Sequence, residues 1–308
     1  MKLYTIKNDR LISISPSDFK LEKDIQYLIE NNLEELFHLQ VIKSELTIKN
    51  FRVDTLGLDK ENHSFVIIEY KKDRNFSVID QGYTYMSLLL NNKSDFILEY
   101  NENCGGQLKR DDVDWSQSKV IFISPRFTEY QKHSVNFKDV PFELWEIKRY
   151  ENNLIGLIQH RTTSQESISI ISEDKSDVVN QVSKQIKVYT EESLMNLSKK
   201  RPEWVKELYF SLKERIMNMG EVEIKPNGNY ISFRRKRPFV DVIFYNKGLI
   251  LMLNLKKGEI NDTNNLTKDV STVGHWGNGD YQIMMDNKTD MDYVMFLINQ
   301  SFKNQDNE

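Results

Sequence analysis

Cysteine is nearly absent: Cys104 is the only one in 308 residues. That excludes an intramolecular disulfide and a cysteine-rich zinc site, and it fits a reducing cytoplasm. Long apolar runs are missing as well. No uncharged stretch reaches the roughly 20 residues that span a bilayer, and charges interrupt the opening MKLYTIKNDRLISIS before it forms the apolar centre of a signal peptide. We therefore expect a cytoplasmic protein with no membrane partner. Excess positive charge is the third absence. The net charge of -4 rules out a global attraction to phosphate, so any nucleic-acid contact must come from local basic patches.

What is present suits a packed chain with a well-solvated surface, 39% hydrophobic and 29% charged. Its length is that of one large or two ordinary domains. Lys2 to Ile14 reads as two short strands, and Ser15-Pro16-Ser17-Asp18 supplies turn chemistry and a helix N-cap. Leu21, Ile25, Leu28, Ile29, Leu33, Leu36 and Phe37 recur at helical spacing, which predicts a helix over 20–37. Three strand-like runs follow, Val41–Thr47, Arg52–Leu58 and Ser64–Tyr70, the last two joined by a short polar turn that suits a hairpin. A second helix is expected from Phe76 to Leu90. Further strands are expected at Phe96–Tyr100, Val120–Ser124, Phe142–Tyr150 and Leu154–Ile158.

From 161 to 185 polar residues dominate, and we read this stretch as a linker with one edge strand at Ile168–Ile171. It would separate a domain at 1–160 from an α+β domain at 186–308. The second domain has its own pattern: a helix over 191–219, strands at Val222–Lys225, Tyr230–Arg234, Phe239–Tyr245 and Leu249–Leu255, and a terminal helix Asp290–Phe302.

The informative stretch for chemistry is FRVDTLGLDKENHSFVIIEYKK, residues 51–72. Alternation along a strand puts Glu69 and Lys71 on one face and Tyr70 on the other. The apolar run Phe65-Val66-Ile67-Ile68 marks that strand as buried, so a carboxylate and an ammonium emerging from it need partners, and Asp54 on the neighbouring strand can supply one. Two carboxylates on adjacent strands suit a hard divalent cation, and a nearby lysine can orient a water or meet the charge that builds on phosphorus. On its own a Glu-x-Lys pair on a strand is more often a plain ion pair. Its position beside Asp54, between two predicted helices, is what raises the chemical reading.

In that context the pattern Val53-Asp54 followed by Glu69-Tyr70-Lys71 resembles the PD-(D/E)XK nuclease superfamily, with Val53 in place of the proline of the name. The resemblance covers about the first 150 residues. It implies a restriction-endonuclease-like α-β-β-β-α-β core with a mixed central sheet, metal ligation by Asp54 and Glu69, Mg²⁺ as the cofactor with Mn²⁺ as a substitute, and a catalytic role for Lys71. Members often carry a glutamate on the first helix; Glu22 or Glu34 could serve here, and Glu22 is preferred. Asp80-Gln81-Gly82-Tyr83-Thr84-Tyr85 is similar to the Gln-x-x-x-Tyr motif of RecB-like members, which implies a place for Gln81 beside the centre and a lesser one for Tyr85 near nucleic acid.

In the second half, Arg234-Arg235-Lys236-Arg237 is the densest basic run, with Tyr230, Phe233 and Phe239 interleaved. A charged turn is the plain reading and nucleic-acid contact the alternative. The glycine-rich Gly274-His275-Trp276-Gly277-Asn278-Gly279-Asp280 suits tight turns. Its surroundings resemble a bacterial carboxy-terminal domain of unknown function found beside restriction and antiphage modules, which implies association with defence proteins and supplies no catalytic residue.

These readings lead us to expect an α/β (α+β) protein, a Mg²⁺-dependent DNA endonuclease acting in restriction, for which a homodimer would let two centres cut two strands. The competing expectations are a repair or recombination nuclease and a non-catalytic binding module that retains the fold.

Overall fold

The computed structural model describes residues 2–72, 77–168, 177–197 and 201–305. The chain forms two compact units, Met1–Val188 and Tyr189–Glu308. The class is mixed α/β.

In the first unit, β1 (Leu3–Lys7) and β2 (Arg10–Ile14) make a separate hairpin. A larger sheet is built from β3 (Pro16–Ser17), β4 (Leu39–Ile48), β5 (Phe51–Asp59), β6 (Ser64–Tyr70), β7 (Lys119–Ser124), β8 (Phe142–Tyr150) and β9 (Leu154–His160). Its order is β3-β8-β7-β6-β5-β4, with β9 paired to β8. The pairs β4–β5 and β5–β6 are antiparallel, whereas β6–β7 and β7–β8 are parallel. Parallel neighbours need crossovers. α3 (Val78–Asn91) and α4 (Lys93–Cys104) lie in the first, and α5 (Glu129–Ser134) in the second.

Every residue of β6 is buried, because apolar layers cover both faces. Val66, Ile68 and Tyr70 pack with Ile25 and Ile29 of α1 (Glu22–Glu30). Phe65 and Ile67 pack with Met86 and Leu89 of α3 and with Phe96 of α4. Each such side chain contributes about 1.5–3 kcal/mol when fully buried. Gly82 lets α3 approach the sheet closely, since a Cβ there would fall 2.6 Å from the Phe142 ring.

The structure departs from the sequence reading at definite places. The expected helix over 20–37 is two helices, α1 and α2 (Leu33–Phe37). The side chains of Asn31 and Asn32 donate to the Tyr27 and Leu28 carbonyls and so take acceptors from the next turn. Phe96–Tyr100, expected as a strand, lies within α4. Phe96, Tyr100 and Cys104, spaced by four, turn to the same core, and a short apolar run does not distinguish the two periods. The stretch read as a linker includes α6 (Asp177–Gln185), with Val182 buried in the core of the first unit and Val178, Val179 and Ile186 packed on it. Most of the expected edge strand 168–171, and Phe76 at the expected start of α3, lie outside the described residues.

In the second unit the expected helix over 191–219 comprises α7 (Glu191–Met195) and α8 (Glu203–Met217), the latter starting after Pro202, whose ring cannot continue a helix from the preceding turn. β10 (Glu223–Pro226), β11 (Ile231–Arg234), β12 (Pro238–Tyr245), β13 (Gly248–Leu253), β14 (Thr267–Asp269) and β15 (Tyr281–Met285) form an antiparallel sheet in the order β10-β11-β12-β13-β15-β14. α8 and α9 (Met291–Asn304) contribute Tyr209, Leu212, Leu297 and Ile298 to its core. β14 and β15 were not expected, because they lie beside a segment dominated by turn residues.

Candidate active site

β5 and β6 stay paired through Thr55 and Ile68. Beyond that point the Tyr70 amide takes a side-chain acceptor, donating to Asp54 Oδ2 at 3.0 Å. The carboxylate thus satisfies a backbone donor where the ladder ends. On the other side of β6 the parallel pairing continues, with the Lys71 amide donating to the Ile123 carbonyl at 2.9 Å.

Glu69 is 3% exposed. Its Oε1 accepts from Lys71 Nζ and, at 2.7 Å, from Gln81 Nε2 on the first turn of α3. Its Oε2 is buried and accepts no hydrogen bond among the described residues. A buried carboxylate oxygen with no donor is costly. Burial first, and then the charge of Asp54, raise the Glu69 pKa above the usual carboxylate range. Asp54 is raised as well, chiefly by burial, against the lowering effects of the Tyr70 amide and Lys71. For Lys71 burial acts downward, but the hydrogen bond and charge of Glu69, followed by Asp54 and Glu22, leave the pKa above its ordinary value. Lys71 is therefore a cation throughout the neutral range.

The other predicted residues fall into two groups. Glu22 accepts from the Lys72 amide at 2.9 Å, and its charge acts on both Asp54 and Lys71. Glu34 is exposed on α2, one helix further along. Gln81 also donates to the Tyr85 hydroxyl at 3.1 Å, and that hydroxyl donates to the Arg52 carbonyl at 3.1 Å. Tyr85 is 6% exposed, so it braces Gln81 and presents little surface to a ligand.

Two further residues support the site from beneath. Gln26 Nε2 donates to the Asp54 carbonyl at 3.1 Å and to Glu30 Oε1 at 3.1 Å. Glu30 Oε1 also accepts from the Thr55 hydroxyl. Sequence reasoning missed both, although Glu22, Gln26 and Glu30 recur every fourth residue and so share one face of α1.

The basic run of the second unit does not form one open patch. Arg234 is 7% exposed, and the Arg235 guanidinium lies 5.2 Å from the centre of the Phe302 ring. The Arg237 backbone is held by Gln305, whose side chain accepts from its amide and donates to its carbonyl. Lys236 is exposed. In the glycine-rich segment, His275 Nδ1 lies 2.7 Å from the Val273 carbonyl and Nε2 lies 3.0 Å from the Gly279 carbonyl. Gly279 has φ +90°, and a Cβ there would fall 1.9 Å from the Leu253 carbonyl oxygen, so this segment is turn architecture.

The donor set at Asp54 and Glu69 suits a hard divalent cation. The cation would relieve the repulsion between two raised carboxylates and give Glu69 Oε2 a partner. Among the described residues no three His, Cys, Asp or Glu side chains converge to hold a metal ion. A cation here would have two carboxylates and complete its shell with water, as Mg²⁺ often does. None of the described helices is long and apolar enough to cross a membrane.

Comparison with known proteins places the chain in a family. It is 45% identical over 305 residues to an uncharacterised protein of Haemophilus influenzae, an alignment that covers 98% of this chain and all of that one, and it belongs to the same family. Residues 196–305, within the second unit, match the model of a domain of unknown function, DUF5655. Among solved structures, a repair endonuclease from Pyrococcus abyssi aligns at 21% identity over 39% of this chain and 44% of its own, with a TM-score of 0.23. An EndoMS-dsDNA2 complex aligns at 20% identity over 39% and 43%, also with a TM-score of 0.23. Each alignment spans less than half of the solved chain, and scores this low do not establish a shared fold.

Proposed function

We propose that the first unit is a Mg²⁺- or Mn²⁺-dependent nuclease that hydrolyses DNA phosphodiesters at Asp54, Glu69 and Lys71. One observation carries this reading: Glu69 is buried with one oxygen held by Lys71 and Gln81 and the other without a donor among the described residues. A purely structural carboxylate in a core is normally satisfied on both oxygens.

When bound, the divalent ion would acidify a water and neutralise charge on the phosphoryl group. Lys71 then has two acceptors to choose between. It leaves Glu69 Oε1 as negative charge builds on the phosphoryl oxygens and donates there, and its raised pKa keeps it charged throughout. Gln81 holds the Glu69 carboxylate in place through this exchange. Asp54 is held by the Tyr70 amide, with Gln26 fixing the same backbone from below. Glu22 adds negative charge that acts on Lys71. Attack of water on phosphorus breaks one P–O bond, and the departing oxygen takes up a proton from solvent.

The biological setting we propose is restriction of foreign DNA in the cytoplasm, with repair or recombination second. The non-catalytic alternative, a module that binds nucleic acid or protein, draws on the lack of a third acidic ligand among the described residues and on the Lys71–Glu69 pairing. Calorimetric titration with Mn²⁺, and incubation of labelled linear, plasmid and single-stranded DNA with Mg²⁺, Mn²⁺ or EDTA, separate the two. We expect metal binding and metal-dependent cleavage in the wild type, with Lys71→Ala losing at least about 100-fold in rate. Wild-type protein that binds no metal and cuts none of these substrates overturns the nuclease reading.

A further inference from the structure

The register of the parallel strands carries polar chemistry away from Lys71 along one edge of the sheet. Glu69, Phe122 and Leu144 are in register, and Ser124 is in register with Glu146. Alternation therefore puts Glu146 on the same face as Glu69, two strands across and two residues further along, roughly 12 Å at the usual spacing. His160 of β9 pairs with Leu144 and so shares that face.

Glu146 is 8% exposed and gathers nitrogen-bearing side chains. Lys148 Nζ lies 3.0 Å from Oε2, while His160 Nε2 at 3.1 Å and Lys132 Nζ at 3.7 Å approach Oε1. The Phe127 amide donates to the same oxygen at 3.3 Å. Burial alone would raise the Glu146 pKa, but these donors, Lys148 first, hold it below the usual range. Glu146 is thus an ionised anchor that draws positive side chains to this edge.

Beside it lies a cleft of about 250 Å³ between α5 and the end of β9. Lys132, His133, His160 and Arg161 line it together with Asn136 and Thr163, and Val135 is its one apolar wall residue. Glu129 also lines it and pairs with Lys132 at 3.0 Å. That carboxylate is 79% exposed, so an incoming anion can displace it from Lys132 at small cost. The volume and the basic groups at its wall fit a phosphate.

We propose that this cleft is an anion subsite holding one backbone phosphate of the DNA strand whose scissile phosphate lies at Asp54, Glu69 and Lys71. The cleft lies at β9, three strand spacings from β6 or roughly 14 Å, which corresponds to about four nucleotides at about 3.4 Å of rise each. The inference rests on the nuclease reading for the identity of the strand. Lys132, His160 and Arg161 position the strand and take no part in bond breaking.

The test is fluorescence anisotropy of a labelled DNA duplex with the full chain in EDTA, so that binding is read without cleavage, over a salt titration. Lys132→Ala combined with Arg161→Ala is expected to weaken binding about tenfold and to flatten the salt slope by about one phosphate contact. Glu129→Gln, which frees Lys132 without touching the core, is expected to tighten binding about twofold to threefold. Wild-type affinity and slope in the double variant overturn the subsite. If that variant does not fold, an unchanged affinity for Glu129→Gln overturns it instead. Weakened binding in the double variant of a wild type that binds DNA yet never cuts it would sustain the subsite and refute the nuclease reading alone. A wild type that binds no DNA refutes both.

Discussion

Replacing Asp54 by asparagine should stabilise the metal-free protein at neutral and alkaline pH. Asparagine keeps an oxygen for the Tyr70 amide, which now donates to Asp54 Oδ2 at 3.0 Å, so little hydrogen-bond energy is lost. What disappears is a negative charge on the strand beside buried Glu69. Carboxylates on neighbouring strands lie about 5–6 Å apart, and at an effective dielectric constant of about 20 they repel by roughly 3 kcal/mol. Lys71 offsets about half, leaving a gain of about 1.5 kcal/mol. A domain of this size converts that into about 3–6 °C in Tm. The sign follows from linkage. Both carboxylates have raised pKa values in the folded state. Their contribution to stability is present below the usual 3.8 and 4.5 and is lost as pH rises through the folded values. The advantage of Asp54→Asn should therefore grow from about pH 4 upward and level off once both groups are ionised in the wild type. The assay is thermal unfolding by circular dichroism across pH, with and without Mn²⁺. Wild type should gain stability from Mn²⁺ most strongly at the higher pH, and the variant should gain little. A variant that melts lower than wild type at pH 8, or a difference that does not change with pH, would show that the two carboxylates do not strain one another.

Gln81→Ala removes the amide that holds Glu69 Oε1, and we expect cleavage to fall about 10–100-fold with the fold retained, read as kcat against an unchanged Tm. Gly82→Ala pushes a methyl into the Phe142 ring, 2.6 Å from the Cβ position, and should cost the first unit about 1–3 kcal/mol in chemical denaturation. Arg234→Ala empties a buried position, so it should lower the stability of the second unit by about 2 kcal/mol or more. Lys236→Ala, at an exposed position of the same run, should leave stability unchanged. Equal stability of these two variants would contradict the assigned burial.

Much of the fold follows from local pattern. Period-two alternation in β5 and β6, the apolar run before Glu69 and the helical spacing from Ile25 to Phe37 are visible in the chain itself. They define the order helix, three strands, helix, strand that the first unit adopts. Local pattern fails where two periods fit the same residues, as in Phe96–Tyr100, or where a polar composition hides an apolar stripe, as in α6.

The candidate site divides along the same line. That Glu69 and Lys71 share a face, opposite Tyr70, is a property of any strand and was determined by sequence. Tertiary structure alone decided that Asp54 takes the Tyr70 amide, that Glu69 keeps one oxygen without a donor among the described residues and that Gln26 and Glu30 support Asp54. It also decided that Arg234 is buried, whereas its composition suggested an exposed patch. The physical reason is that alternation is local, while burial and partner choice depend on strand register and on which helix covers each face. Those are relations between residues as distant as Glu22 and Lys72, and no single window of the chain contains them.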